Sequence, residues 1–385
     1  MQIKNRKLEI KGDCQEISVL IGDFRLWYRV PKYLTISNMG DPFLAAALLP
    51  AMARGEELEF DENLPVSSKL LQNAYILQEI FHSWNPSLKI IPIKAIPETT
   101  NQSNDGIVCF FSGGVDSIFT FIKRKDELTH VVYIRGFDFP IDNESYKTVL
   151  DRNAEFVSRY RKVIIPIETN LRELSYYHNL SILLTQGSIL ASIALLLGFP
   201  RVYISSSYSY SQLIPLGSHP LTDPLWSNEA TEIIHDGAEA RRVDKIVRIA
   251  EDPAALSIIL VCARDVVRNC GCCEKCIRTM IPLRVLGVKS PAFPDFPKLS
   301  VIKKLQIKNE IEMIFFKENL DLAINYGDKD LVNAMRAYLR RYEMIQLLKE
   351  VDRVVLGGFI KRTHRRIIKK PSFYRITMTP REYLF

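Results

Sequence analysis

The chain has 385 residues, of which 47% are hydrophobic and 25% charged, with a formal net charge of +7. That length is enough for two or three domains, each with its own core, and the composition excludes a disordered or fibrous chain. A surplus of seven positive charges over this length does not by itself call for nucleic acid. The opening MQIKNRKLEI lacks the apolar segment of a secretory signal. The most apolar stretch, Leu180 to Phe199, is interrupted by Thr185, Gln186, Gly187 and Ser188, so its unbroken part is too short for a bilayer. A buried helix, a cytoplasmic location and no membrane contact are the expectation.

Residues 1–105 read as an N-terminal α/β domain. FRLWYRV (24–30) alternates as a strand does. Asp41 is placed to cap the helix PFLAAALLPAMARG, with Pro42 in its first turn and Gly55 as its stop. Ser67 or Ser68 starts a second helix, KLLQNAYILQEIFHSW, and LKIIPI (88–93) reads as another strand. The polar PETTNQSNDG (97–106) has no periodicity and is the linker candidate.

From residue 106 the pattern alternates. Strands are expected at 107–111, 130–135, 162–167 and 201–205, with helices at about 117–124, 143–159 and 180–197. Such alternation specifies a parallel sheet flanked by helices, with ligands at the carboxyl ends of its strands. At that end of the first strand lies VCFFSGGVDSIFT (108–120). Gly113 and Gly114 let the backbone approach a ligand closely. A helix beginning near Asp116 or Ser117 presents its unpaired N–H groups and the positive end of its dipole. A phosphate suits that arrangement; a plain strand-to-helix turn capped by serine and aspartate is the alternative.

The seven cysteines are unevenly spread. Cys14 and Cys109 stand alone, while CARDVVRNCGCCEKC gathers Cys262-x7-Cys270-x2-Cys273-x2-Cys276, with Cys272 left over. Four thiolates at such short steps make a closed tetrahedral cage, the form of a structural zinc site; an iron–sulfur cluster is the other metal that thiolates suit. This segment closes the second domain near 288. Residues 289–385 form a helical, basic extension, with apolar residues at helical spacing in 309–325 and 329–350. The extension ends in KRTHRRIIKKPSFYR (361–375), a candidate contact for RNA, a membrane surface or an acidic partner, with a solvated tail or helix face as the alternative.

The loop is neither a Walker A motif nor a Rossmann fingerprint. Ser112, Gly113, Gly114, Val115, Asp116 and Ser117 resemble the S-G-G-x-D-S pyrophosphate loop of the N-type ATP pyrophosphatases (PP-loop, HUP-like fold), departing where Ile118 replaces the following hydroxyl. The resemblance implies ATP cleavage between the α- and β-phosphates, with pyrophosphate leaving into the loop. Backbone amides with Ser112 or Ser117 would then stabilise the developing charge. Asp116 would face Mg2+. Loop and cysteines together, over roughly 106–285, resemble 7-cyano-7-deazaguanine synthase. That resemblance implies structural Zn2+, adenylation of 7-carboxy-7-deazaguanine or a similar acid, and attack by ammonia to give an amide and then a nitrile. The extra hundred residues at each end, and SSSYSYSQLIPLGSHPLTDPLWS (205–227), depart from the synthase pattern. Related antiviral defence proteins imply a protein amine as acceptor. A tRNA-modifying PP-loop enzyme and a non-catalytic ATP sensor are the remaining alternatives.

HDGAEARRVDKIVRIAED (235–252) reads as a helix with Arg242, Lys245 and Arg248 on one side. The resemblance makes Lys245 the candidate for a second phosphate ligand and catalytic residue, beside Asp116 and Ser117. Asp223 is a candidate magnesium or substrate ligand, His219 and His235 candidate bases. Gln186-Gly187-Ser188 either meets a ligand or packs, and Tyr208-Ser209-Tyr210 either stacks on a purine or lines a loop.

Overall fold

The computed structural model describes residues 1–101, 104–137, 141, 144–307 and 310–355. The basic segment 361–375 therefore lies outside the described residues. In chain order the N-terminal strands are β1 (Gln2–Lys11), β2 (Cys14–Ile21) and β3 (Phe24–Pro31), followed by α1 (Asp41–Arg54), β4 (Leu58–Phe60), β5 (Val66–Ser67), α2 (Ser68–Trp84), β6 (Ile93–Lys94) and β7 (Pro97–Glu98). Then come β8 (Ile107–Phe110), α3 (Val115–Arg124), β9 (His130–Arg135), α4 (Ser145–Arg159), β10 (Val163–Thr169), α5 (Leu171–Tyr177), α6 (Ile182–Leu197) and β11 (Arg201–Ser205). The remainder comprises β12 (Glu232–Asp236), α7 (Arg242–Ala250), α8 (Pro253–Ile258), α9 (Glu274–Val285), α10 (Glu310–Tyr326) and α11 (Lys329–Val355).

Ten strands make one mostly parallel sheet, flanked by helices, in the order β12-β11-β8-β9-β10-β3-β2-β1-β4-β6. Strands β12 through β10 run parallel, β3 joins β10 antiparallel through Glu168↔Arg29 and Thr169↔Tyr28, and β1–β3 form an antiparallel meander. The expected separation at residue 105 therefore does not hold: the N-terminal strands extend the sheet of the following segment. One hydrophobic core spans both, drawing on Ile17, Leu26 and Phe43 as well as Val108, Ile165 and Leu195. The linker candidate is also tied down where it is described. The Asn104 carboxamide donates to the Thr35 and Leu197 carbonyls.

Local corrections have physical reasons. Gly40, not Asp41, is the N-cap of α1; Asp41 is buried and accepts from the Ser67 N–H at 2.7 Å and Asn228 Nδ2 at 2.7 Å. The stretch 88–93 is not a full strand, because the Ile91 N–H is satisfied by the Gln78 side chain at 2.7 Å instead of by a neighbouring strand. Residues 235–252 are a strand end followed by a helix, since Gly237 at φ 92° turns the chain between β12 and α7. Gly55 does end α1, in the left-handed conformation, and the Ser67 hydroxyl caps α2.

The chain packs as two units, and the division falls at the cysteines instead of near residue 288. The first holds residues 1–261 and 266–268; the second holds 262–265 and the described residues from 269 onward. In the second unit Ile277 and Ile281 of α9 bury against Ile302, Phe316 and Leu320 of α10, and Leu331 and Met335 of α11. The cysteine segment thus shares a core with the C-terminal helices.

Candidate functional site

The strand order reverses direction at β8. From β8 the chain adds β9 and β10 on one side, then returns to place β11 and β12 on the other. The carboxyl ends of β8 and β11 therefore flank a topological switch point, the place where open parallel sheets bind ligands. Residues 112–117 leave β8 there, and Ser206 leaves β11.

The loop is held by its own serines. Ser117 Oγ accepts the Ser112 N–H at 3.2 Å and donates to the Gly114 carbonyl at 3.0 Å, while Ser112 Oγ accepts the Gly114 N–H at 3.3 Å. Gly113 takes φ 80°, a region that side-chain-bearing residues avoid, and its carbonyl accepts from the Leu260 N–H at 2.8 Å. Gly114 is the N-cap of α3, which begins one residue earlier than the sequence suggests, at Val115. The first-turn N–H groups of Val115, Asp116 and Ser117 have no intrahelical acceptor, so the turn offers an anion three donors at the positive end of the helix. Ile118 is fully buried, and its N–H donates to the Gly114 carbonyl at 3.0 Å.

Asp116 and Lys245, singled out separately, meet. Lys245 Nζ donates to Asp116 Oδ1 at 2.9 Å and to the Ser206 carbonyl at 2.5 Å; Arg242 Nη1 donates to Asp116 Oδ2 at 2.9 Å. The Lys245 side chain is 1% exposed, that of Arg242 10% and that of Asp116 21%. Burial would raise the Asp116 pKa; the charges and hydrogen bonds of Lys245 and Arg242 outweigh it and hold the carboxyl below its ordinary value. Both oxygens of this carboxylate thus face cations. Arg248, expected beside these two, is exposed and pairs with Glu251.

Asp223, His219 and His235 also come together. Asp223 is fully buried, with Oδ2 2.7 Å from His235 Nδ1 and accepting Ser218 Oγ at 2.7 Å, and Oδ1 accepting the His219 N–H. Burial, then His235, keep the His219 pKa low against the opposing charge of Asp223. His219 packs edge-on against Trp84. These groups knit a loop together, and sequence spacing gave no sign of their union. Gly187 is a packing position: a Cβ there would lie 2.0 Å from the Gly217 carbonyl. Ser209 is buried and Tyr210 exposed, on a turn tied to Ala238 by the Tyr210 N–H.

In the second unit, the sulfurs of Cys262, Cys270, Cys273 and Cys276 all lie within 4.8 Å of one another. Cys262 to Cys273 is 4.0 Å and Cys270 to Cys276 is 3.9 Å. A zinc ion with bonds of about 2.3 Å to four tetrahedral sulfurs separates them by roughly 3.8 Å, so the cage fits. Burial works against a Cys270 thiolate, but the N–H groups of Cys272 and Cys273 prevail and bring its pKa down to about 6. Cys273 also caps α9, accepting the Cys276 N–H. Cys272 is exposed and outside the cage.

No helix among the described residues is long and apolar enough to cross a membrane. Neither protein-family models, curated proteins nor solved structures give a match to this chain.

Proposed function

We propose that this protein is an ATP-dependent adenylating enzyme. ATP lies with its β- and γ-phosphates on the N–H groups of the 112–117 loop. A substrate carboxylate attacks the α-phosphorus, the bond to the β-phosphate breaks, and pyrophosphate leaves into the loop. An amine then attacks the acyl adenylate and expels AMP, giving an amide or a conjugate with a larger acceptor; a primary amide becomes a nitrile when its own oxygen attacks the α-phosphorus of a second ATP, pyrophosphate leaves, and the adenylated amide loses both N–H protons and AMP. Magnesium would arrive on the nucleotide's phosphates, adding its charge to that of Arg242 and Lys245. The acid is 7-carboxy-7-deazaguanine or a close relative; the amine is ammonia or an amine on a protein. The four-cysteine cage holds zinc as a structural ion.

The observation that carries this proposal is the position of the Ser112–Ser117 loop. A glycine turn and a helix start stand at the switch point of a parallel sheet, with the buried Lys245 against them. The deciding experiment is mass spectrometry of the purified full chain with magnesium-ATP, the deazaguanine acid and ammonium. AMP together with an amide or nitrile is the expected result. AMP without a new base product keeps adenylation and moves the acceptor to a protein amine. ATP binding with no AMP from any acid in a panel overturns enzymatic activity. The second reading, an ATP-binding sensor, then takes its place. Ile118 favours that one, since no hydroxyl follows Ser117.

A further inference from the structure

Behind the loop, on α4, stands Asn153. It has no exposed surface, and among the described residues neither its Oδ1 nor its Nδ2 has a hydrogen-bond partner. A carboxamide can make several hydrogen bonds, and burying one with none made is costly. Its neighbour is the loop itself: a Cβ on Gly113 would lie 3.1 Å from Asn153 Oδ1 and 3.6 Å from Nδ2. Gly113 sits at φ 80° and is the loop residue whose peptides can rotate without a side-chain penalty. An unmatched amide thus faces a backbone segment able to turn toward it.

We infer that Asn153 is a positioning residue for the loop. When an anion is seated on the amides of 114–117, the Ser112–Gly113 peptide rotates and hydrogen-bonds the Asn153 carboxamide, while the Gly113 carbonyl keeps its bond from the Leu260 N–H. The free chain bears an uncompensated buried amide, and the bound chain recovers it as affinity. The inference rests on the loop being an anion site and extends that reading to a residue no motif contains. It also explains the glycine at 113: an alanine there would both strain the backbone and fill the gap that the carboxamide faces.

The two roles open to Asn153 have opposite signatures. If it positions the loop, Asn153→Leu, close in volume and without polar atoms, leaves the melting temperature of the free chain equal or higher. The same variant binds magnesium pyrophosphate and magnesium-ATP at least tenfold more weakly by calorimetry. Asn153→Ser, which keeps a donor and an acceptor, retains part of that affinity. If Asn153 is instead paired through an internal water as a structural residue, the leucine variant melts lower and binds as the wild type does; that result overturns the inference. Should the leucine variant fail to fold, equal affinity of the serine variant and the wild type overturns it as well. Wild-type protein that binds neither probe removes the anion-site reading itself, so the two failures are told apart by the first titration.

Discussion

Asp116 at the start of α3 and Lys245 in α7 are 129 residues apart and joined at 2.9 Å, and the ammonium is almost wholly buried. Breaking one side of a buried ion pair leaves a charge without compensation, at a cost of about 3 kcal/mol or more. Asp116→Asn and Lys245→Met should each lower the free energy of unfolding by that order. The double variant should lose less than the sum by about 1 kcal/mol or more, because the residues share one interaction. Denaturant unfolding of the four proteins measures this, and strictly additive losses would refute the coupling. AMP formation should be lost in all three variants, since the double change leaves the net charge of the trio to Arg242 alone and removes both the Lys245 ammonium beside the loop and the carboxylate that Arg242 pairs with.

Two carboxylates give pH dependences of opposite sign. Asp116 has a lowered pKa, so its contribution to stability is present above the ordinary carboxylate range and fades as acid protonates it. Asp41 is the reverse. Burial is the largest cause, and hydrogen bonds from Ser67 and Asn228 do not offset it, so its pKa rises from 3.8 to about 6. Its contribution is full below pH 4 and is lost as pH rises through 6, a change of about 3 kcal/mol. Unfolding free energies of wild type and Asp41→Asn between pH 4 and 7 test it. The variant should lack this decline, and identical slopes would refute the assignment.

The cysteine cage predicts one zinc per chain by elemental analysis. Cys273→Ser and Cys276→Ser should abolish it, while Cys272→Ser should leave it in place, since Cys272 is outside the cage. Removal of the metal should melt the second unit preferentially, because Cys273 caps α9 and Cys276 lies in its first turn. A first, chelator-sensitive transition in thermal circular dichroism is the expected sign. A coloured protein with iron in place of zinc would overturn the choice of metal.

The sequence foretold the parallel strands well, because β8, β9 and β11 are short apolar runs buried on both faces. It did not reveal that β3 pairs with β10. That register joins residues about 140 apart, and nothing local encodes it. The long strand β1 went unread because it is mostly exposed and polar, QIKNRKLEIK. At the site, the glycines and the cysteine spacing carried their meaning in the sequence, since each reflects local geometry. The union of Asp116 with Lys245 and Arg242, the meeting of Asp223 with His235, and the unpaired amide of Asn153 depend on which helix packs on which. They became visible only with the fold.

Positions 117 and 118 separate a weakened enzyme from a sensor. Ser117 Oγ ties Ser112 to Gly114, and Ser117→Ala takes the acceptor from the Ser112 N–H, while the Gly114 carbonyl keeps its bond from the Ile118 N–H. The cost to stability should be about 1 kcal/mol, with pyrophosphate affinity falling tenfold or more because the amides are no longer held in line. Ile118 is fully buried in the helix core, so a hydroxyl there enters apolar surroundings. Ile118→Thr should therefore cost 1–3 kcal/mol, on the order given by buried hydroxyls, and leave nucleotide affinity and AMP formation unchanged. A gain of tenfold or more in AMP formation by Ile118→Thr would reverse this conclusion. It would mean that the missing hydroxyl limits the chemistry, and that the natural chain is adapted to hold ATP more than to spend it.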